Sequence, residues 1–420
     1  MKVIHYLSYK VLLIFTVILI NSCGQEIKNK TVASVNDQST VRLDSLFKVA
    51  VKNHEIPGAV AYLKKDGKVI FHKAFGFQDV ESRIAMSEHT IFRMASMTKG
   101  LTAVAILQLY ERGLLDLDDD LSKYIPEFND LKILKEVLPD SSFTSYPAKG
   151  RITLHHLLTH TSGIGYGFQN DHYNALIIKN EISEGFCDDQ RTSLENTRLI
   201  AKIPLLHEPG EKNVYSLSYD ILGTVIEIVS GLRFDAYVKK HILDPLEMND
   251  SYFIVPQDQR FRLTKVYQPG TIGNTLIQAS YPDVHYPVID DKQFFSGGAD
   301  LCGTAADYAK FIEMILNKGT YGKQRIVGKK YIEMMLAKQT KFNDGDADQG
   351  YAAWVTNAQG AANGHKSIGS FDFGGFFDTY SWADPSNDLT AILLLQMYPT
   401  NNYNIHEKYQ KIVYGIFNDN

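Results

Sequence analysis

Strand patterns gather at the two ends of this chain and helical patterns fill its middle, so any sheet it forms must join segments far apart in sequence. Ala59 to Leu63 and Val69 to Phe75 are strand-like runs on either side of Asp66-Gly67. That pair suits a tight hairpin, in which both central positions take positive φ. Near the other end, Thr379 to Ala383 and Leu389 to Gln396 flank the turn-forming stretch Asp384-Pro385-Ser386-Asn387-Asp388. Leu43, Leu46, Phe47 and Ala50 repeat at helical spacing, as do Ile405, Tyr409, Ile412, Val413 and Ile416. From Ser96 the pattern is helical through Leu109, with Gly113 placed to cap it. Thr304 followed by Asp307 resembles a capping box opening a helix over 304–317. The stretch from 113 to 250 carries several helical patterns and few strand signals. The expected fold is α+β: residues 40–112 and 251–420 form an α/β domain, an antiparallel sheet flanked by terminal helices, and 113–250 form an inserted all-helical domain.

With 44% hydrophobic and 22% charged residues among 420, the chain has enough apolar material for a packed core. A net charge of −5 and the lack of a basic stripe argue against nucleic acid as a partner. The first residues have a different purpose. Val11 to Ile20, apolar apart from Thr16, is too short to span a bilayer as a helix and reads as a signal-peptide core. Ile20-Asn21-Ser22-Cys23-Gly24 then resembles a bacterial lipoprotein cleavage box. On this reading residues 1–22 are removed and Cys23 is lipidated. Residues 23–39 form a flexible tether, and the protein is held to a membrane in the periplasm or at the cell surface. The plainer alternative is a secretory signal in which Cys23 is incidental. Cys187 and Cys302 read as unpaired thiols, and no His, Cys or Asp cluster has metal-ligand spacing, so neither metal nor cofactor is expected.

Three short motifs point to chemistry. In Ser96-Met97-Thr98-Lys99, helical spacing puts the amine beside the hydroxyl. A serine hydroxyl becomes a good nucleophile only when a base removes its proton. The Ser96 amide, at a helix start, also lacks an intrahelical partner and suits one half of an oxyanion hole. Tyr215-Ser216-Leu217, after Glu208-Pro209-Gly210, offers a phenol able to donate or accept a proton. In Phe373-Gly374-Gly375-Phe376, paired glycines beside a strand let a ligand approach the backbone, and the Phe376 amide is a candidate second oxyanion donor. Each has an ordinary reading: a surface lysine, a ring packed in a loop, a β-bulge.

Taken in order, these motifs resemble a known family. Ile91 to Lys99 is similar to the nucleophile segment of class C β-lactamases and their esterase-like, penicillin-binding-protein relatives. Leu154 to Gly163, Glu208 to Gly223, Gly297 to Phe311 and Asp384 to Gln396 add to the match. The resemblance implies a β-lactamase/transpeptidase-like fold, with the active site between its α/β and helical parts. It implies an acyl-enzyme on Ser96, proton transfer shared by Lys99 and Tyr215, and an oxyanion held by the Ser96 and Phe376 amides. Phe373, Gly374, Gly375 and Leu217 take the substrate-binding positions. Two departures matter. Leu217 stands where β-lactamases usually have Asn, and Phe373 stands where they have a Lys that pairs with the substrate carboxylate. Lys366 is a candidate displaced cation. A serine hydrolase of neutral small-molecule esters or amides is therefore favoured over a β-lactamase or D-amino-acid peptidase, and over a binder that acylates and stalls. His160 reads as ordering the turn at Gly163 rather than as a triad member, since no G-x-S-x-G elbow occurs. Asp220 reads as local backbone support.

Overall fold

The Asp66-Gly67 turn forms with φ of 48° and 71° and folds β1 (Gly58–Lys65) back onto β2 (Lys68–Asp79). A computed structural model describes residues 37–418 except 188–189, 272–274, 281–282, 343–344 and 401–402. The expectations for the signal segment, Cys23 and most of the tether lie outside the described residues. The main sheet adds β3 (Ile84–Ala85), β4 (Ala347–Gln349), β5 (Trp354–Thr356), β6 (Phe371–Gly375), β7 (Thr379–Asp384) and β8 (Leu389–Leu394). Its order is β4-β5-β6-β7-β8-β1-β2-β3, antiparallel throughout. The two ends of the chain meet at β1 and β8, where Ala61 lies opposite Leu393.

These central strands read as continuous apolar runs because both faces are covered. Ala59, Ala61 and Leu63, with Leu389, Ala391 and Leu393, face α1 (Asp37–Lys52) and α11 (Tyr403–Asn418). Val60, Tyr62, Ile392 and Leu394 point the other way, into the larger core that includes α8 (Ala305–Leu316). That core also takes side chains from α2 (Thr98–Glu111), α3 (Leu154–Leu158), α4 (Asp171–Lys179), α5 (Ser193–Ile200), α6 (Ser218–Ser230), α7 (Phe234–Val238) and α9 (Lys329–Leu336). A short α10 (Ala358–Asn363) sits between β5 and β6.

Three local expectations are corrected. The middle region contains a β-hairpin, Lys132–Val137 paired with Phe143–Pro147. Of its residues only Ile133 is buried, so the period-two apolar pattern that would announce a strand is missing. The capping box at Thr304 is half formed. Thr304 accepts from the Asp307 amide at 3.3 Å, but the Asp307 carboxylate turns to the Asp250 amide at 2.7 Å and the Ser251 hydroxyl at 3.1 Å. Helix α1 also begins at Asp37, inside the stretch expected to be tether.

Candidate active site

Ser96 stands where extended chain turns abruptly into helix. Phe92–Arg93 pairs with Cys302–Gly303, then Ala95 takes a φ of 45° before the 3₁₀ turn Ala95–Met97 enters α2. A left-handed alanine costs about 1–2 kcal/mol, a strain that persists only when its surroundings hold it. Those surroundings are visible. Gln396 accepts from the Arg93 amide at 2.7 Å and donates to the Arg93 carbonyl at 3.2 Å, extending the strand pattern with a side chain. The buried Arg93 guanidinium donates to the carbonyls of Thr264 and Val284. The Thr98 hydroxyl donates to the Ala95 carbonyl at 2.6 Å and accepts from the Leu301 amide at 3.0 Å.

Helix α2 lies along the strip that starts at Gly297-Gly298. Thr102 donates to the Gly297 carbonyl at 2.6 Å, and Lys99 Nζ to the Gly298 carbonyl at 2.8 Å. Lys99 is 3% exposed. Its Nζ also lies 3.2 Å from Ser96 Oγ and 3.5 Å from the Tyr166 hydroxyl. The Tyr215 hydroxyl donates to Ser96 Oγ at 2.6 Å. Thus the amine and the phenol converge on one serine oxygen. Lys99 Nζ also lies 4.7 Å from the Tyr215 ring centre, within range of a cation–π attraction.

Tyr215 is set by His160, expected only to order the turn at Gly163, and by Tyr166. The His160 ring lies 4.6 Å from the Tyr215 ring, and its Nδ1 accepts from the Ser216 amide at 3.1 Å. Burial, and then the charge of Lys99, push the His160 imidazole well below its usual range, so it is neutral and orients Tyr215 rather than carrying protons. Tyr166, also buried, packs near Tyr215 with ring centres 5.4 Å apart. The backbone that Asp220 meets is remote, not local as expected: it is 1% exposed, one oxygen accepts from the Ser296 hydroxyl, and the carboxylate also faces the Gly298 amide. An aspartate on the inward side of the strongly apolar helix Ser218–Ser230 was the available sign of a buried charge.

Strand β6 forms the other wall. At Gly375 a Cβ would fall 2.4 Å from the Met94 carbonyl oxygen and 2.1 Å from Thr379 Oγ1, so only glycine lets the strand lie against the nucleophile segment. The β6–β7 ladder ends at the Gly375–Thr379 pair, and Phe376 begins the turn beyond it. Gly374 is open: a Cβ there would meet nothing closer than 3.8 Å, and the residue lines the space beside Ser96. Phe373 is 2% exposed, its ring against Phe311 and Gly100, at the edge of that space. Leu217 is fully buried in the large core and lines neither pocket at Ser96, contrary to the substrate contact expected of it. It immediately precedes α6, where its apolar side chain packs inward. Lys366 is no displaced substrate cation, because it is paired with Asp372 and lies 3.3 Å from the Tyr380 hydroxyl.

Two pockets meet at Ser96. A smaller one of about 50 Å³ is lined by Lys99, His160, Tyr215, Trp354 and Gly374. A larger cleft of about 460 Å³ is walled by the rings of Tyr166, Phe168, Phe186, Phe376 and Tyr398, with Asn174, Glu184 and Asp283 also lining it. Phe376 and Tyr398 stack at 3.9 Å. Among the described residues that line either pocket, Lys99, in the smaller one, is the one Lys or Arg.

The family model described as Beta-lactamase matches residues 43–414. The chain is 30% identical to Esterase EstB of Burkholderia gladioli over 366 residues, covering 84% of this chain and 89% of that one. It is 26% identical over 405 residues to an ML-236A carboxylate methylbutanoyltransferase of Penicillium citrinum, covering 89% and 94%. The solved structure of EstCE1, a hydrolase with promiscuous acyltransferase activity, shares the fold with a TM-score of 0.78 at 24% identity, over 91% of this chain and all of that one.

Proposed function

The chain belongs to the beta-lactamase family, and from that premise we infer that it is a serine hydrolase that cleaves carboxylic esters, and secondarily amides, through an acyl-enzyme on Ser96. The observation that carries this reading is the convergence of the Tyr215 hydroxyl and Lys99 Nζ on Ser96 Oγ, at 2.6 and 3.2 Å, at the mouth of a cleft walled largely by aromatic rings. Ser96 Oγ attacks the carbonyl carbon once the Tyr215–Lys99 pair has given up one proton, and the phenolate beside the Lys99 ammonium takes the serine proton. The Ser96 and Phe376 amides receive the oxyanion, and the proton then goes to the departing alcohol or amine. Water completes the cycle by the same route, with Tyr215 as the group that activates it.

The chemistry of the walls supports neutral substrates. A substrate carboxylate would find Phe373 where a cation would be needed, with Lys366 already paired. The aromatic cleft instead suits an apolar acyl or alcohol portion. The 30% identity to an esterase agrees with this. Turnover of p-nitrophenyl butyrate that disappears in Ser96→Ala is the expected result, with nitrocefin hydrolysed far more slowly. Equal ester turnover in the variant and the parent would exclude Ser96 as the nucleophile. The Cys23 sequence further supports a mature chain that begins at Cys23 and is lipid-anchored in the periplasm or at the cell surface. Detergent-phase partitioning that survives Cys23→Ala would count against the anchor.

A further inference from the structure

Asp220 has no part in the proton path just described, yet it is the buried carboxylate that faces it. Its free Oδ2, Lys99 Nζ and the Tyr166 hydroxyl border one small space. A Cβ placed on Gly298 would lie 3.1, 3.3 and 3.3 Å from the three. With glycine at 298 no side chain stands between the carboxylate and the amine, and the Gly298 backbone touches both, its carbonyl accepting from Lys99 Nζ at 2.8 Å and its amide facing Asp220. A buried charge is costly unless compensated, and Lys99 is the cation that Asp220 faces across this gap.

We propose that Asp220 is a positioning residue for the Ser96 reaction: as a carboxylate it serves as counter-charge to the Lys99 ammonium and holds that amine against Ser96, and on protonation it releases that hold. The proposal rests on the serine-hydrolase reading. It predicts an acidic limb in the rate profile that belongs to a residue outside the reacting set. Burial raises the Asp220 carboxyl to about 6, opposed by the Ser296 hydrogen bond and then by the charge of Lys99. The groups facing it from each neighbouring element are Lys99 from α2, Tyr166 from the segment after α3, Glu184 from the loop after α4, and Ser296 and Asp300 from the strip before α8. Asp300 is itself paired with the buried Lys292 at 2.5 Å. Burial pushes Glu184 upward too, which makes it the competing source of such a limb. His160, held well below its usual range, is not one.

The experiment is the pH dependence of kcat/KM for p-nitrophenyl butyrate between pH 4.5 and 8, with unfolding midpoints measured beside it. The native enzyme is expected to lose activity as pH falls, with a midpoint near the Asp220 value of about 6. Asp220→Asn is expected to lower the plateau by about 10²-fold, the size of effect a misplaced catalytic group produces, and to abolish the limb. Glu184→Gln should keep it. Ser296→Ala retains the carboxylate but removes its hydrogen bond, so the midpoint should move to higher pH. An Asp220→Asn enzyme that keeps the native limb overturns the proposal, and so does one whose rate falls in parallel at every pH. If that variant is too slow to profile, Ser296→Ala decides, and an unmoved midpoint is the refuting result. Turnover surviving in Ser96→Ala would be a separate outcome, defeating the hydrolase reading itself.

Discussion

Replacing Tyr215 by Phe deletes one oxygen and leaves the ring where it is, which makes it the sharpest probe of the Ser96 site. The ring contacts with His160, at 4.6 Å, and with Lys99 Nζ, at 4.7 Å, do not involve the hydroxyl. The lost interaction is the 2.6 Å bond to Ser96 Oγ. As a stability term one such hydrogen bond is worth about 1 kcal/mol, so the unfolding temperature should fall by at most a few degrees. As a catalytic term, loss of a positioned proton-transfer group costs about 10²–10⁴ in rate, or ~3–5 kcal/mol of barrier. Steady-state hydrolysis of p-nitrophenyl butyrate should therefore show kcat reduced over that range with KM little changed. The shape of the cleft does not depend on this oxygen. A kcat within about threefold of the parent, in a variant of native stability, would refute the reasoning, because a proton path through the phenol cannot be that dispensable.

The walls of the site give three further predictions and the buried carboxylate a fourth. Gly375→Ala drives a Cβ to 2.4 Å from the Met94 carbonyl, so it should cost about 1–3 kcal/mol of stability by overpacking and, by displacing Phe376, about 10²–10³ in kcat. Gly374→Ala, with 3.8 Å of clearance, should stay native in stability, as thermal unfolding of the pair will show. Phe373→Lys places an unpaired ammonium at a position 2% exposed, so denaturant unfolding should register a loss of about 3 kcal/mol or more, and nitrocefin turnover should not rise. Asp220→Asn should stabilise the protein near neutral pH. The native carboxyl is raised from 3.8 to about 6, so the folded state binds the extra proton and loses stability as pH rises through that window. Removing the ionisation should restore up to ~3 kcal/mol at pH 7, a gain that vanishes below pH 4 in urea titrations.

Much of this site was legible because its chemistry is carried by short-range patterns. Ser96 and Lys99 share a face through backbone geometry alone, and Asp66-Gly67 and Asp384 to Asp388 declare their hairpins by turn chemistry. The errors fall where meaning depends on partners. Leu217 occupies a motif position but is fully buried in the core. Lys366 is a cation spent on Asp372. His160 reads as a turn residue, and its hold on Ser216 and Tyr215 depends on a contact across 56 positions. The hairpin at 132–147 is mostly exposed and leaves no hydrophobic period to find.

Periodicity, turn residues and the three motifs determine the elements, the sheet built from both chain ends and the choice of Ser96 as candidate nucleophile, since each is a property of neighbours a few residues apart. Which groups surround that hydroxyl is a property of distance in space. Only folding puts α2, α6 and the Gly297-Gly298 strip in contact, lines the cleft with aromatic rings, and buries Asp220 near Lys99. Desolvation and charge proximity, which decide what those groups can do, come into being only with that packing.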